Sequence, residues 1–136
     1  LGTSLVAFSP VGRALLTDRP HGLKEAKNME FLTKNPRFIE PNISANLAYN
    51  AKFRALAADM DTSAAALAIA WVLQKSQEVI AIPGTRSIAH LNELVAGGDM
   101  TLTEDDINRI EAVLPIGWAH GDRYSTTQWE GPEKYC

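Results

Sequence analysis

Glu78-Val79-Ile80-Ala81-Ile82-Pro83-Gly84-Thr85-Arg86-Ser87 holds a strand, its stop and a helix start in one short stretch. Glu78 to Ile82 is brief and rich in β-branched side chains, so it reads as a buried strand. Pro83-Gly84 breaks it, because proline donates no ladder hydrogen bond and glycine turns freely. Ser87 stands where a helix N-cap belongs. Behind it Ile88, Leu91, Leu94 and Val95 recur at helical spacing as a buried face, with Gly97-Gly98 as the stop. A strand passing straight into a helix is the repeating unit of parallel α/β folds.

Working outward, Ser4-Leu5-Val6-Ala7-Phe8 is a second short apolar run, bounded by Gly2 on one side and by Pro10 and Gly12 on the other. It too reads as a buried strand. Gly12 to Pro41 is full of breakers and charges and reads as a long loop, with a short helix around Leu23 to Leu32. A loop of that length in a compact protein is functional or disordered. Ser44 is placed to cap a helix running to about Asp59, with Leu47, Ala51, Leu56 and Met60 as its apolar stripe. Thr62 or Ser63 caps the next, with Leu67, Ala70, Trp71 and Leu73 facing inward. Thr103 caps the last, followed by Glu104, Asp105 and Asp106 where the helix dipole favours anions. Ile107, Ile110 and Leu114 form its buried face, and Pro115 ends it. The tail from Ile116 to Cys136 is aromatic and polar without a period. Its Trp118, Trp129 and Tyr135 serve a pocket or interface, or pack the tail down. The order is strand, long loop, two helices, strand, two helices, tail, which calls for parallel strand pairing. Two strands do not make a sheet that stands alone, so something else is expected to cover their edges.

The chain has 136 residues, enough for one domain. Apolar residues make up 46% and charged residues 21%, the balance of a globular protein rather than a disordered one. A net charge of −3 gives no basic footprint for nucleic acid. The longest apolar stretch, Ala64 to Leu73, is too short to span a bilayer, so no membrane partner is expected. Cys136 is the single cysteine, in keeping with a reducing, cytoplasmic compartment. The chain begins at Leu1, inside an apolar segment and without an initiator methionine, as a fragment or processed product does. His21, His90 and His120 are far apart and lack metal-ligand spacing.

Two segments can carry chemistry. Ser9-Pro10-Val11-Gly12-Arg13 follows the first strand, and ligands of α/β folds gather at the carboxyl ends of strands. Backbone N–H groups, a serine and an arginine there suit a phosphate, although an ordinary Pro-x-Gly turn has the same look. Gly84-Thr85-Arg86-Ser87 follows the second strand and joins a glycine turn, a hydroxyl and a guanidinium to a helix N-terminus, which attracts anions. The competing account is a plain cap with a solvated Arg86. Parallel strands put both loops on one rim, which points to a ligand with phosphates at two places, such as a dinucleotide. There is no G-x-G-x-x-G and no P-loop.

Taken in order, these segments resemble the aldo-keto reductases of the bacterial and plant NADP-dependent type. Val6-Ala7-Phe8-Ser9-Pro10-Val11-Gly12-Arg13 is similar to the family's seventh barrel strand and following loop. Ile80-Ala81-Ile82-Pro83-Gly84-Thr85-Arg86 is similar to the eighth strand and its phosphate loop. Asn35-Pro36-Arg37-Phe38 resembles a segment before the seventh main helix, Ala68-Ile69-Ala70-Trp71-Val72-Leu73 the core of that helix, and Gly121-Asp122-Arg123-Tyr124 the C-terminal loop. The likeness covers nearly the whole chain, 1–136 being read as one C-terminal segment of the family's domain. Each motif is weak alone; the ordered set is specific.

The resemblance implies the C-terminal part of a TIM (β/α)8 barrel, with about two parallel strands plus helices, and a bound NADP(H). By position it implies Ser9, Pro10, Val11, Gly12 and Arg13 along the pyrophosphate and Phe8 against the nicotinamide. Gly84, Thr85 and Arg86 would hold the 2′-phosphate, aided by His90, with Glu93 at the adenine and Arg19 and Arg37 as lesser phosphate candidates. Leu94 stands where the family has an Asn, Val11 where it has a Leu, and Ala14 where a Gly is frequent. No segment resembles those that carry the family's Tyr general acid with its Lys, Asp and His, so no catalytic residue is assigned. Tyr124 is the local tyrosine and lacks such a constellation. A reductase of this kind acts on a small carbonyl substrate, and the N-terminal remainder of the barrel would be this segment's partner. Two alternatives stay open. One is a non-enzymatic NADP-binding relative of the potassium-channel β-subunit type. The other is a truncated chain with a structural role, its strand edges paired in a homo-oligomer or with a separate N-terminal chain.

Overall fold

The structure is a computed structural model describing residues 2–129, so Tyr135 and Cys136 lie outside the described residues. Strand β1 spans Leu5–Phe8 and is followed by the short helices α1 (Leu23–Ala26) and α2 (Glu30–Thr33). A 3-10 turn at Pro36–Phe38 leads into the long helix α3 (Asn42–Asp59), then α4 (Ala64–Leu73) and strand β2 (Val79–Ile82). Helices α5 (Ile88–Asp99) and α6 (Glu104–Val113) and a 3-10 turn at Thr126–Gln128 complete it. β1 and β2 pair in parallel, with Leu5 opposite Val79 and Phe8 opposite Ile82.

The helix starts follow local chemistry. The Ser63 hydroxyl accepts from the Ala66 N–H at 3.1 Å and opens α4. Ser87 does the same for His90 at 3.4 Å and opens α5. At α6 the Thr103 hydroxyl accepts from the Asp106 N–H at 3.2 Å, and the Asp106 carboxylate accepts from the Thr103 N–H at 3.0 Å. This capping box satisfies two otherwise orphaned donors. Ser44 does not cap α3. It lies inside the helix and donates to Glu40 at 2.8 Å, because the chain already turns helical at Pro41.

Thr103's hydroxyl and, next, its backbone N–H hold the Asp106 carboxyl below its usual value. A carboxyl depressed on folding stabilises above its unfolded pKa and stops doing so as pH falls through the folded one. The melting temperature should therefore fall as pH drops from about 5 to about 3, and Asp106→Asn should make that decline shallower. A parallel decline in both proteins would show that the box contributes nothing.

α4 is buried on every side, from Ala64 to Ala70, and the core is arranged around it. On one side Phe53, Leu56 and Ala57 of α3 meet Leu67, Ala68 and Ala70, with Leu102 and Ile110 closing the cluster. On the other, Ala65 and Ile69 pack on Leu94 of α5, with Val11 and Ala81 against them. A third cluster, Leu15, Ala26, Leu32, Phe38 and Ile43, lies under the long loop.

Several expected faces differ. The buried side of α3 is Ile43, Asn46, Asn50, Phe53, Leu56 and Ala57, while Ala51 is exposed. Of the expected α5 stripe only Leu94 is buried, and Ile88 is 81% exposed. Gly97-Gly98 does not stop α5, which runs on to Asp99; Gly97 is buried where the helix crosses α4. Trp71 is half-buried, its indole N–H donating to Glu111 at 3.3 Å. Both strands were expected to be buried, yet Val6 and Ile80 are each 52% exposed. The register sets Val6 beside Ile80 and Phe8 beside Ile82, so one face of the pair stands open for want of further strands.

Candidate functional site

Phe8 and Ile82 are register partners and the last residues of their parallel strands. The two loops singled out from the sequence therefore leave from one end of the pair. The first is a tight left-handed turn. Ser9, Gly12, Arg13 and Ala14 have φ of 51°, 59°, 55° and 69°, and the Gly12 N–H donates to the Ser9 carbonyl at 2.9 Å. Three of these are not glycine, and such residues cost roughly 1–2 kcal/mol each in this region. That strain persists only because the surroundings hold it. Pro10 is buried, Val11 packs on the cluster between α4 and α5, and the Asn50 side chain donates to the Leu15 and Thr17 carbonyls at 2.6 and 3.0 Å.

The second loop is open. Gly84, Thr85 and Arg86 are exposed, and nothing lies within 4 Å of where a Cβ at Gly84 would stand. The Thr85 hydroxyl accepts from the Ser87 N–H at 3.2 Å, which shapes the approach to α5. The Ile88 and Ala89 N–H groups at the helix start have no protein acceptor among the described residues, as expected of a first turn. Free donors, an exposed guanidinium with no ion-pair partner among the described residues and unfilled space suit an anion such as a phosphate. His90 is exposed and Glu93 half-buried, three residues apart and so on neighbouring positions of α5. Leu94, at the position of the family's Asn, is core.

The arginines part company. Arg19 is exposed near the end of the first loop. Arg13 turns from the strand ends toward the tail, its guanidinium carbon 4.9 Å from the Phe31 ring centre and 4.8 Å from that of Tyr124. Its Nη1 donates to the Arg123 carbonyl at 3.3 Å. Arg37 joins it there, Nε donating to the Gly121 carbonyl at 3.3 Å. Arg123 lies over Phe8, 4.1 Å from the ring centre. Burial first, and neighbouring arginine charge after it, lowers the pKa of both Arg13 and Arg37. Tyr124 is buried by this stack and by Trp129, whose ring centre is 5.0 Å away.

Three buried asparagines, none marked as functional from the sequence, hold these segments in place. Asn35 donates to the Arg123 carbonyl at 2.8 Å and accepts from the Arg37 N–H at 3.2 Å. Asn46 grips His120, and Asn50 one turn later grips the first loop. Asn46 and Asn50 lie four apart and so on one face of α3, the one signal available. Among the described residues no group of His, Cys, Asp and Glu is placed to hold a metal ion.

The aldo/keto reductase family model matches residues 1–115. The chain belongs to the aldo/keto reductase family. A probable aldo-keto reductase 1 of Glycine max is 34% identical over 91% of this chain and 36% of its own length. The aldo-keto reductase str7 of Strobilurus tenacellus is 29% identical over 90% of the chain and 37% of its own. The chain thus spans somewhat over a third of the relatives it matches. The family fold is the (β/α)8 barrel, and this aldo/keto reductase chain forms part of one, two adjacent parallel strands with their helices. The open strand face carrying Val6, Phe8, Ile80 and Ile82 is the side that a closed barrel fills with layered side chains.

Proposed function

We propose that the complete protein is an NADP(H)-dependent reductase of aldehydes or ketones, to which this chain contributes the cofactor-binding rim. The reading is carried by one observation. The two loops leave the same end of a parallel strand pair whose final residues, Phe8 and Ile82, lie side by side, and the second of them presents Arg86 and the open start of α5. When bound, NADPH supplies the hydride that reduces a carbonyl carbon to the alcohol. Arg86, with the N–H groups at the start of α5, holds a phosphate by charge-assisted hydrogen bonds. Ser9 to Gly12 form the second turn at that end, where the Ser9 hydroxyl can meet a phosphate while Arg13 faces the tail, and Phe8 offers an apolar ring at the rim. The rest of the barrel covers the exposed strand face and shields that rim from water, which strengthens every electrostatic contact there.

In the complete enzyme Arg86→Ala should weaken NADPH by about 10- to 100-fold, the worth of a hydrogen bond between charged groups, and NADH much less. Dissociation constants from cofactor fluorescence test this. Equal losses for both cofactors would remove Arg86 from the 2′-phosphate.

A further inference from the structure

Beyond the second strand's loop, a separate cluster of cations stands at the end of β1. Phe31, Arg13, Tyr124, Arg123 and Phe8 alternate ring and guanidinium. The Arg13 carbon is 4.9 Å from Phe31 and 4.8 Å from Tyr124, and that of Arg123 is 6.0 Å from Tyr124 and 4.1 Å from Phe8. A guanidinium stacked by its face keeps its planar edge of N–H donors free for an oxyanion. Arg13 spends donors on the Arg123 carbonyl and on Tyr124, and Arg37 one on Gly121. Among the described residues no carboxylate comes within ion-pair distance of Arg13, Arg37 or Arg123. Asp122 is near enough to favour the charge on Arg37, but it ranks behind burial and the two other arginines there. Gathering three arginines, two of them half-buried, without an ion-paired acid among the described residues costs stability, and such a cost is characteristic of functional sites.

We propose that Arg13, Arg37 and Arg123 form an oxyanion site beside Phe8, and that the carbonyl substrate carries a carboxylate which this site selects. The substrate half of this rests on the reductase reading; the oxyanion site does not. Arg123 is the specificity-determining residue, being the exposed member of the three and the one that lies on Phe8, at the end of β1. A fork of paired N–H donors matches a carboxylate and not its ester, so discrimination follows from charge and geometry together. A phosphate of the nucleotide offers similar chemistry, and the test separates the two.

Full-length protein with saturating NADPH is assayed on 4-carboxybenzaldehyde and on its methyl ester, which share size and ring. The acid is expected to have at least tenfold the higher kcat/KM. Arg123→Gln should bring that ratio near one, chiefly through the KM of the acid, and Arg123→Lys should keep part of it. An unchanged ratio overturns the proposal, as does a variant whose defect is a tenfold weaker NADPH affinity with the ratio intact, since the cluster then serves the nucleotide. Benzoate titrated against tryptophan fluorescence gives a readout free of turnover. Saturable binding is expected, at least tenfold weaker in Arg123→Gln, and its absence sinks the oxyanion site. If neither aldehyde is reduced while benzoate binds through Arg123, the reductase reading fails and the oxyanion site stands.

Discussion

Gly97→Ala is expected to lower the stability of the protein by about 2–4 kcal/mol, although alanine is the better helix former by about 1 kcal/mol. Packing decides the sign. A Cβ at Gly97 would stand 2.8 Å from the Ala66 Cα and 2.9 Å from the Ile69 Cβ, and closer still to the Ala66 carbonyl oxygen. The first and last of these belong to backbone, which cannot swing aside as a flexible side chain does. The remedy is to push α5 off α4, and that opens the cluster of Ala65, Ile69 and Leu94 and loosens the support under Val11 of the first loop. Gly98 is the internal control. It sits in the same helix with nothing within 4 Å of a Cβ, so Gly98→Ala should gain about 0.5–1 kcal/mol. Chemical denaturation of both variants tests the argument. The same sign for the two would mean that the α4–α5 crossing is looser than described.

The pair also illustrates what the sequence reveals. Gly97-Gly98 after an apolar stripe is a sound helix stop by local rules, and nothing near it in the chain announces the Ala66 backbone waiting across α4. Local signals were legible. The strands at Leu5–Phe8 and Val79–Ile82 and the caps at Ser63, Ser87 and Thr103 all depend on residues within a turn of one another. Burial was less so. Ile88, Leu91 and Val95 have the spacing of a core face but remain exposed, because spacing shows which residues share a face and not what covers it. The same holds for Val6 and Ile80 on the open side of the strand pair.

For the site, the common rim followed from parallel pairing alone, since parallel strands must carry their following loops at one end. The destination of Arg13 did not follow. Its carbonyl partner lies 110 residues away in the tail, a stretch with no period to place it. An arginine directly after a Pro-x-Gly turn has no local feature that distinguishes a phosphate ligand from a cation stacked between two rings. The asparagines were hidden for a related reason. A polar residue on a helix is read as facing water unless its partners are known, and those of Asn46 lie in two separate segments.

Asn46 is the point where that oversight matters most. The side chain is fully buried. Its Nδ2 donates to the carbonyls of Arg37 and His120, each at 3.0 Å, and its Oδ1 accepts from the His120 N–H at 2.8 Å. Asn46→Leu keeps the volume close but strips three backbone groups of their partner at once. Each buried group left unpaired costs about 1–3 kcal/mol, so a loss of at least about 3 kcal/mol is expected if the tail stays in place. The tail has a cheaper alternative, which is to lift from α3 and let water serve those groups. That limits the loss in global stability but frees the segment carrying Arg123 and Tyr124, and with it the cover over Phe8. The two outcomes are distinguishable. Limited proteolysis should cut Asn46→Leu at the chain's arginines near the tail, Arg123 above all, while the parent resists. Asn46→Asp is expected to be no milder. It keeps an acceptor for His120 but sets a carboxylate against two carbonyl oxygens, where the choice is repulsion or an uptake of a proton. An Asn46→Leu protein as stable and as protease-resistant as its parent would mean that the tail is held by its aromatic stack alone, and that the buried asparagines are passengers rather than clamps.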